Sequence, residues 1–135
     1  MITDKDIDTL ARTIYGEARG ESPEGRLLVA FVILNRWKTN YRRKDTIEQV
    51  CLDPWQFSCW NSNDPNREKL LAVDMSNQIF RQCYRAAIEA VDADNSLPIK
   101  TRHYYAMSMP EPPFWAAGHD PVKIHGHHKF YEGIA

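Results

Sequence analysis

With 135 residues, 43% hydrophobic and 26% charged, the chain has the composition of one globular domain over 1–135 with a core of its own, not of a disordered or fibrous protein. Its net charge of −1 leaves no strong field to draw it to nucleic acid or to an anionic membrane. The longest apolar run, Leu27 to Leu34, falls short of the roughly 18 residues that cross a bilayer, so no stable membrane insertion is expected, and the chain reads as a monomer.

A first helix is predicted from Thr3 or Asp4, either of which suits an N-cap, to about Tyr15, with Ile7, Leu10, Ala11 and Ile14 at helical spacing. The stretch Tyr15-Gly16-Glu17-Ala18-Arg19-Gly20-Glu21 follows. Ser22-Pro23-Glu24 then reads as N-cap, first helical residue and acidic first turn of a second helix, running from Pro23 to about Trp37. Its centre is apolar on every side, which predicts a helix buried in the middle of the domain. Arg36, Lys38, Arg42, Arg43 and Lys44 read as a solvated helix end and loop. Thr46-Ile47-Glu48-Gln49 has the capping-box pattern of a short third helix that stops before Pro54.

Trp55 to Trp60 reads as an extended segment. Alternation then puts Trp55, Phe57 and Cys59 on one face and Gln56, Ser58 and Trp60 on the other. The second face offers an amide, a hydroxyl and an indole, the mixture that a sugar ring needs. Asn61 to Asn66 is a turn region. A short helical piece is predicted near Arg67 to Ala72, and a longer helix from Ser76 to Ala93 with Ile79, Phe80, Cys83, Ala86, Ala87, Ala90 and Val91 toward the core. From Asn95 the character changes. Pro98, Pro110, Pro112, Pro113 and Pro121 exclude long helices. Thr101 to Ala106 and His127 to Tyr131 read as short extended segments, with Gly126 at a turn after Val122-Lys123-Ile124. The expected class is α+β, mainly helical, with a buried central helix and a short irregular β element.

Glu17 sits near a helix end between Gly16 and Gly20, held by rigid elements yet able to open onto a cleft. That suits a general acid; a solvated glutamate at a frayed end is the plain alternative. Cleaving a glycosidic bond requires such an acid, because a sugar alkoxide leaves poorly at neutral pH. A glutamate serves only where its surroundings keep it protonated. Tyr15, the wall of the second helix, and Trp60 or Tyr104 are expected to supply that setting. A second carboxylate usually assists. Glu21, four residues on, is the first candidate. Gly20 and Pro23 suggest that the helix has ended, which leaves Glu21 to bond turn backbone or to pair with Arg19. Glu24 serves the dipole of the second helix, and Asp53 and Asp64 are turn residues.

His119, His125, His127 and His128 cluster late in the chain and raise the reading of a zinc amidase or peptidase. Their spacing fits no metal motif, so no metal and no cofactor are expected. His103 reads as a hydrogen-bonding residue near the cleft. Cys51, Cys59 and Cys83 are odd in number and match no zinc or redox spacing, so buried thiols are expected.

The run from Ala11 to Trp37, ARTIYGEARGESPEGRLLVAFVILNRW, resembles the opening of the SleB/CwlJ family of bacterial cell-wall hydrolases. Gln56-Phe57-Ser58, His103-Tyr104, Pro112-Pro113 and His127-His128-Lys129-Phe130-Tyr131 follow in that family's order. The chain departs from the pattern at His103-Tyr104-Tyr105, where His-Tyr-His is common, and at Ile124-His125-Gly126-His127, where Ile-Gly-x-His is common. The resemblance implies a lysozyme-like fold and a catalytic acid at Glu17 that acts on peptidoglycan glycan strands. Gln56, Ser58, Trp60, His103 and Tyr104 are then expected to line one cleft with Glu17, with Tyr15 and Glu21 beside it.

With one acid and no evident partner carboxylate, a lytic transglycosylase giving 1,6-anhydro-muramoyl ends is favoured over a water-using muramidase. A non-catalytic glycan-binding or phage structural module is a further reading, against which the presence of Glu17 argues. MITDKDIDTL has neither a basic nor an apolar leader region. Synthesis in the cytoplasm is therefore expected, with release to the wall by another route, such as the holin pore of a phage or prophage lysin.

Overall fold

The computed structural model describes residues 1–93 and 100–134. The change of character expected at Asn95, and Pro98, fall outside them. Helix α1 spans Asp4–Ala18. Thr3 caps it: its side chain accepts from the Asp6 N–H, and the Asp6 carboxylate accepts from the Thr3 N–H. The helix continues one turn beyond the predicted end at Tyr15, through Gly16 and Glu17. Gly16 does not break it because its missing side chain is needed for packing. A Cβ there would come within 2.6 Å of Cys59 Cβ and 2.8 Å of Leu70 Cδ2.

Helix α2, Pro23–Lys38, begins as its sequence predicts: Ser22 Oγ accepts from the Gly25 N–H at 3.1 Å and Pro23 opens the helix. Every residue from Leu28 to Arg36 is buried. α2 is the central helix, with α1, α3 and α5 packed around it. Helix α3, Ile47–Leu52, is capped by Thr46. Helix α4, Pro65–Ala72, is capped by Asp64.

Helix α5 spans Gln78–Ala93. It starts two residues later than expected because Asn77 Oδ1 takes the Phe80 N–H, while Ser76 is engaged with Asp74. Phe80, Cys83, Ala86, Ala87 and Ala90 are its buried stripe. Ile79 lies off that stripe and is exposed, and Val91 is half-buried.

Trp55 to Trp60 is not extended. Trp55 takes a left-handed φ of +67°, and Ser58–Trp60 form a single 3-10 turn. The chain must reverse here to pass from α3 to α4, and Trp60 N–H to Phe57 O and Asn61 N–H to Ser58 O close the turn.

Three short strands form an antiparallel sheet in the order β1-β3-β2: β1 His103–Ala106, β2 Lys123–His125 and β3 His128–Tyr131. Gly126, at φ +55°, makes the tight connection between β2 and β3. Tyr104 pairs with Phe130, and Ala106 and His125 both pair with His128. Alternation therefore puts Tyr104, Phe130 and His128 on one face, with Tyr104 centred 5.7 Å from Phe130 and 5.0 Å from His128. The sheet joins the helices through α2, where Asn35 Nδ2 donates to Thr101 O and Arg36 Nε to Arg102 O.

Candidate active site

Glu17 lies on the last turn of α1, half-buried. Its Oε1 accepts from the Tyr104 hydroxyl at 2.7 Å, and its Oε2 accepts from the Cys59 backbone N–H at 3.1 Å. α1, the 58–60 turn and β1 thus converge on one carboxylate, whose plane is set by a donor on each oxygen. Burial and the facing Glu17 charge push the Tyr104 hydroxyl well above the usual tyrosine range. At neutral pH it remains a proton donor.

The cleft over Glu17 holds about 510 Å³. Gln56, Ser58 and Tyr104 line it together with Glu17, as the sequence suggests. Four other expected residues lie elsewhere. Trp60 donates from Nε1 to Thr13 Oγ1 at 2.9 Å and packs on the core, because the 3-10 turn rotates it off the face shared by Gln56 and Ser58. Tyr15 is two residues from Glu17, about 200° around the helix. It meets Phe80 of α5, and the Arg19 guanidinium lies over its ring. His103 neighbours Tyr104 on β1, so alternation sends it to the opposite face of the sheet. There its Nε2 meets the Tyr41 hydroxyl at 3.0 Å and its ring packs on Trp115. Burial, with Arg36 and Arg102 nearby, brings its pKa down to about 4.

Glu21 bonds neither Arg19 nor the cleft. Its carboxylate accepts from the His127 backbone N–H at 2.8 Å. Arg19 instead reaches Asn66 Oδ1 at 2.7 Å.

Sequence reasoning missed Arg36, Trp55, Tyr105, Trp115 and His128, all of which line the cleft. Arg36 is not solvated; only 6% of it is exposed. Its Nη1 donates to Gln56 Oε1 at 3.2 Å, and its guanidinium lies over the rings of Tyr41 and Phe57. That bond leaves the Gln56 amide N–H groups as donors to the cleft. Burial lowers the Arg36 pKa from its ordinary value, with Tyr41 the largest opposing influence. Its position two residues after the apolar run was the usable signal, since a central helix buries its polar residues too.

His127 and His128 both face Glu21, but the late histidines do not gather into one ligand set. His125 meets Ser22 Oγ at 2.8 Å, His127 meets Glu21, and His119 is exposed. Among the described residues no three His, Cys, Asp or Glu side chains are grouped as ligands for a metal. A separate hollow of about 320 Å³ beside Arg26, Gln82 and Glu89 shares no lining residue with the cleft.

The family model described as Cell Wall Hydrolase matches residues 20–131, a span that begins just after Glu17. The spore cortex-lytic enzyme of Bacillus subtilis is 33% identical over 132 residues, covering 96% of this chain and 38% of that protein. The enzyme of the same name from Oceanobacillus iheyensis is 41% identical over 73 residues, 49% of this chain and 26% of the relative. The chain therefore spans well under half the length of these relatives.

Two solved structures share its fold at 24% identity. The catalytic domain of the Bacillus cereus SleB protein superposes with a TM-score of 0.74, covering 96% of this chain and 91% of that one. The catalytic domain of the germination-specific lytic transglycosylase SleB from Bacillus anthracis gives 0.72, covering 95% and 94%. The lysozyme-like α+β architecture follows from these neighbours, and the matched span, more than half of the chain, shows that this protein belongs to the cell wall hydrolase family of the SleB/CwlJ type.

Proposed function

We propose that the chain cleaves the β-1,4 bond between N-acetylmuramic acid and N-acetylglucosamine in peptidoglycan, as a lytic transglycosylase with Glu17 as the acid. One observation carries this reading: among the described residues that line the cleft, Glu17 is the sole carboxylate. A water-using muramidase normally pairs its acid with a second carboxylate about 5 Å away or farther, and Glu21 is turned instead onto the β2–β3 connection. The muramic acid C6 hydroxyl can supply the missing nucleophile. Glu17 protonates the bridging oxygen, the C6 oxygen closes on C1, and the proton that the hydroxyl gives up restores the acid. Holding that hydroxyl in place is a proximity effect worth up to about ten kcal/mol.

The two curated relatives compared above are named for the spore cortex, so cortex peptidoglycan is favoured as substrate over the wall met by a phage lysin. We further propose that the chain works as a monomer on wall outside the cytoplasm. Mass spectrometry of digested, purified peptidoglycan tests the chemistry. Anhydro ends, lighter by one water and resistant to borohydride, are expected; exclusively reducible ends overturn the transglycosylase.

A further inference from the structure

His128 lines the same cleft, and Glu21 stands behind it on the β2–β3 connection. Only 6% of the Glu21 side chain is exposed. Its Oε1 accepts from the His127 N–H, and its Oε2 lies 2.8 Å from His127 Nδ1. The turn is shaped around this carboxylate, for a Cβ on Gly126 would overlap Glu21 Oε1. His128 Nδ1 lies 3.5 Å from that oxygen. It is sealed from solvent and has no hydrogen-bond partner among the described residues.

A proton on Nδ1 would point at the Glu21 carboxylate and would leave Nε2 as the acceptor. His128 lines the cleft with Glu17. Its ring packs on Tyr104, whose hydroxyl bonds Glu17. A carboxylate-backed imidazole therefore lines the same cleft as Glu17.

We infer that His128, oriented by Glu21, is the base that receives the proton of the attacking hydroxyl; this rests on Glu17 being the acid of glycan cleavage. As Glu17 gives its proton to the bridging oxygen and the bond from C1 to that oxygen breaks, the C6 oxygen bonds to C1. The C6 hydroxyl proton goes to His128 Nε2. The imidazolium forms beside the Glu21 carboxylate, and its proton then returns through solvent to Glu17, restoring both groups. Glu21 is a positioning residue, acting through His128.

Charges around the ring agree with this role. Burial holds the imidazole below the usual histidine range, against the pull of Glu21 and then Glu17, while His127 lowers it further. Near pH 7 it is neutral and able to accept. Burial would raise Glu21, but hydrogen bonds from the His127 side chain and backbone outweigh it and hold its carboxyl below the usual range. The other titratable or charged groups around the ring are Tyr104 on β1, His125 paired across β2, and Arg36 of α2 in the same cleft.

The test uses the whole chain on purified peptidoglycan. His128→Gln is expected to lower kcat by about a hundredfold or more, the scale of a lost acid-base group, with KM little changed. Glu21→Gln removes the anion that raises His128, so the acid limb of kcat/KM should move to lower pH. A purely structural role would reduce activity without moving that limb. In the unmodified protein, imidazole nitrogen-15 shifts should report the Nδ1–H tautomer of His128, a readout that needs no variant to fold. A wild-type rate in His128→Gln, an unmoved limb in Glu21→Gln, or the Nε2–H tautomer each overturns the assignment. Glu17→Gln run in parallel separates the two readings. Activity retained there defeats glycan cleavage by Glu17 itself; an inactive Glu17→Gln beside a fully active His128→Gln defeats only the base.

Discussion

Glu17 and Tyr104 share one short hydrogen bond, and their removal should have unequal consequences. Glu17→Gln keeps the shape and loses the transferable proton. Cleavage of purified peptidoglycan should fall by at least about a hundredfold, with circular dichroism and melting nearly unchanged. Tyr104→Phe keeps the packing on Phe57, Phe130 and His128 and loses only the donor. A single hydrogen bond is worth about 1 kcal/mol net, and only the part that differs between ground and transition state affects the rate. The Tyr104→Phe loss should therefore be the smaller of the two, about tenfold. A larger loss in Tyr104→Phe than in Glu17→Gln would reassign the acid.

At the scale of elements, the site depends on how closely α1 approaches the 58–60 turn. Gly16 permits that approach, and it is what brings the Cys59 N–H to Glu17. Gly16→Ala overpacks the contact, so a loss of about 1–3 kcal/mol in urea unfolding is expected. Cleavage should slow in the same variant, because the donor moves away from the carboxylate. Strand β1 carries a different consequence. His103 has a folded pKa of about 4 against an ordinary value of 6.5, so between these values the unfolded chain binds a proton that the folded chain does not. The stability it contributes is complete above pH 6.5 and is lost as the pH falls toward 4. The size is on the order of 3 kcal/mol. Unfolding curves at pH 7 and pH 4.5 should show the loss, and His103→Gln should flatten it; an equal slope in the variant would rule out His103 as its source.

At the scale of the molecule, the β2–β3 hairpin is docked on the α1–α2 junction by side chains of opposite polarity. Lys123 and His125 meet Glu24, His125 meets Ser22, and His127 meets Glu21. The histidines that resemble a zinc cluster in the sequence are thereby dispersed along one docking seam. Treatment with EDTA followed by dialysis should leave peptidoglycan cleavage intact. Loss of activity restored by zinc would favour an amidase or peptidase and return those histidines to the centre of the chemistry.

What the sequence by itself determined is local. The caps at Thr3, Ser22 and Thr46 and the all-round apolar centre of α2 are written in neighbouring residues, because capping and periodicity act within one or two turns. The position of Gly126 at the tight turn was legible for the same reason. The cleft was only half legible. Gln56, Ser58 and Tyr104 reach it, but Trp60 is turned away by a reversal that alternation could not anticipate, and Tyr15 and His103 by the opposite faces of a helix and a strand. Arg36 and His128 enter the site because α2 is buried and because the β1–β3 register aligns Tyr104, Phe130 and His128. Those placements were decided by tertiary structure alone: they depend on contacts between residues 20 to 107 positions apart, and no local preference encodes which distant side chain will face a given carboxylate.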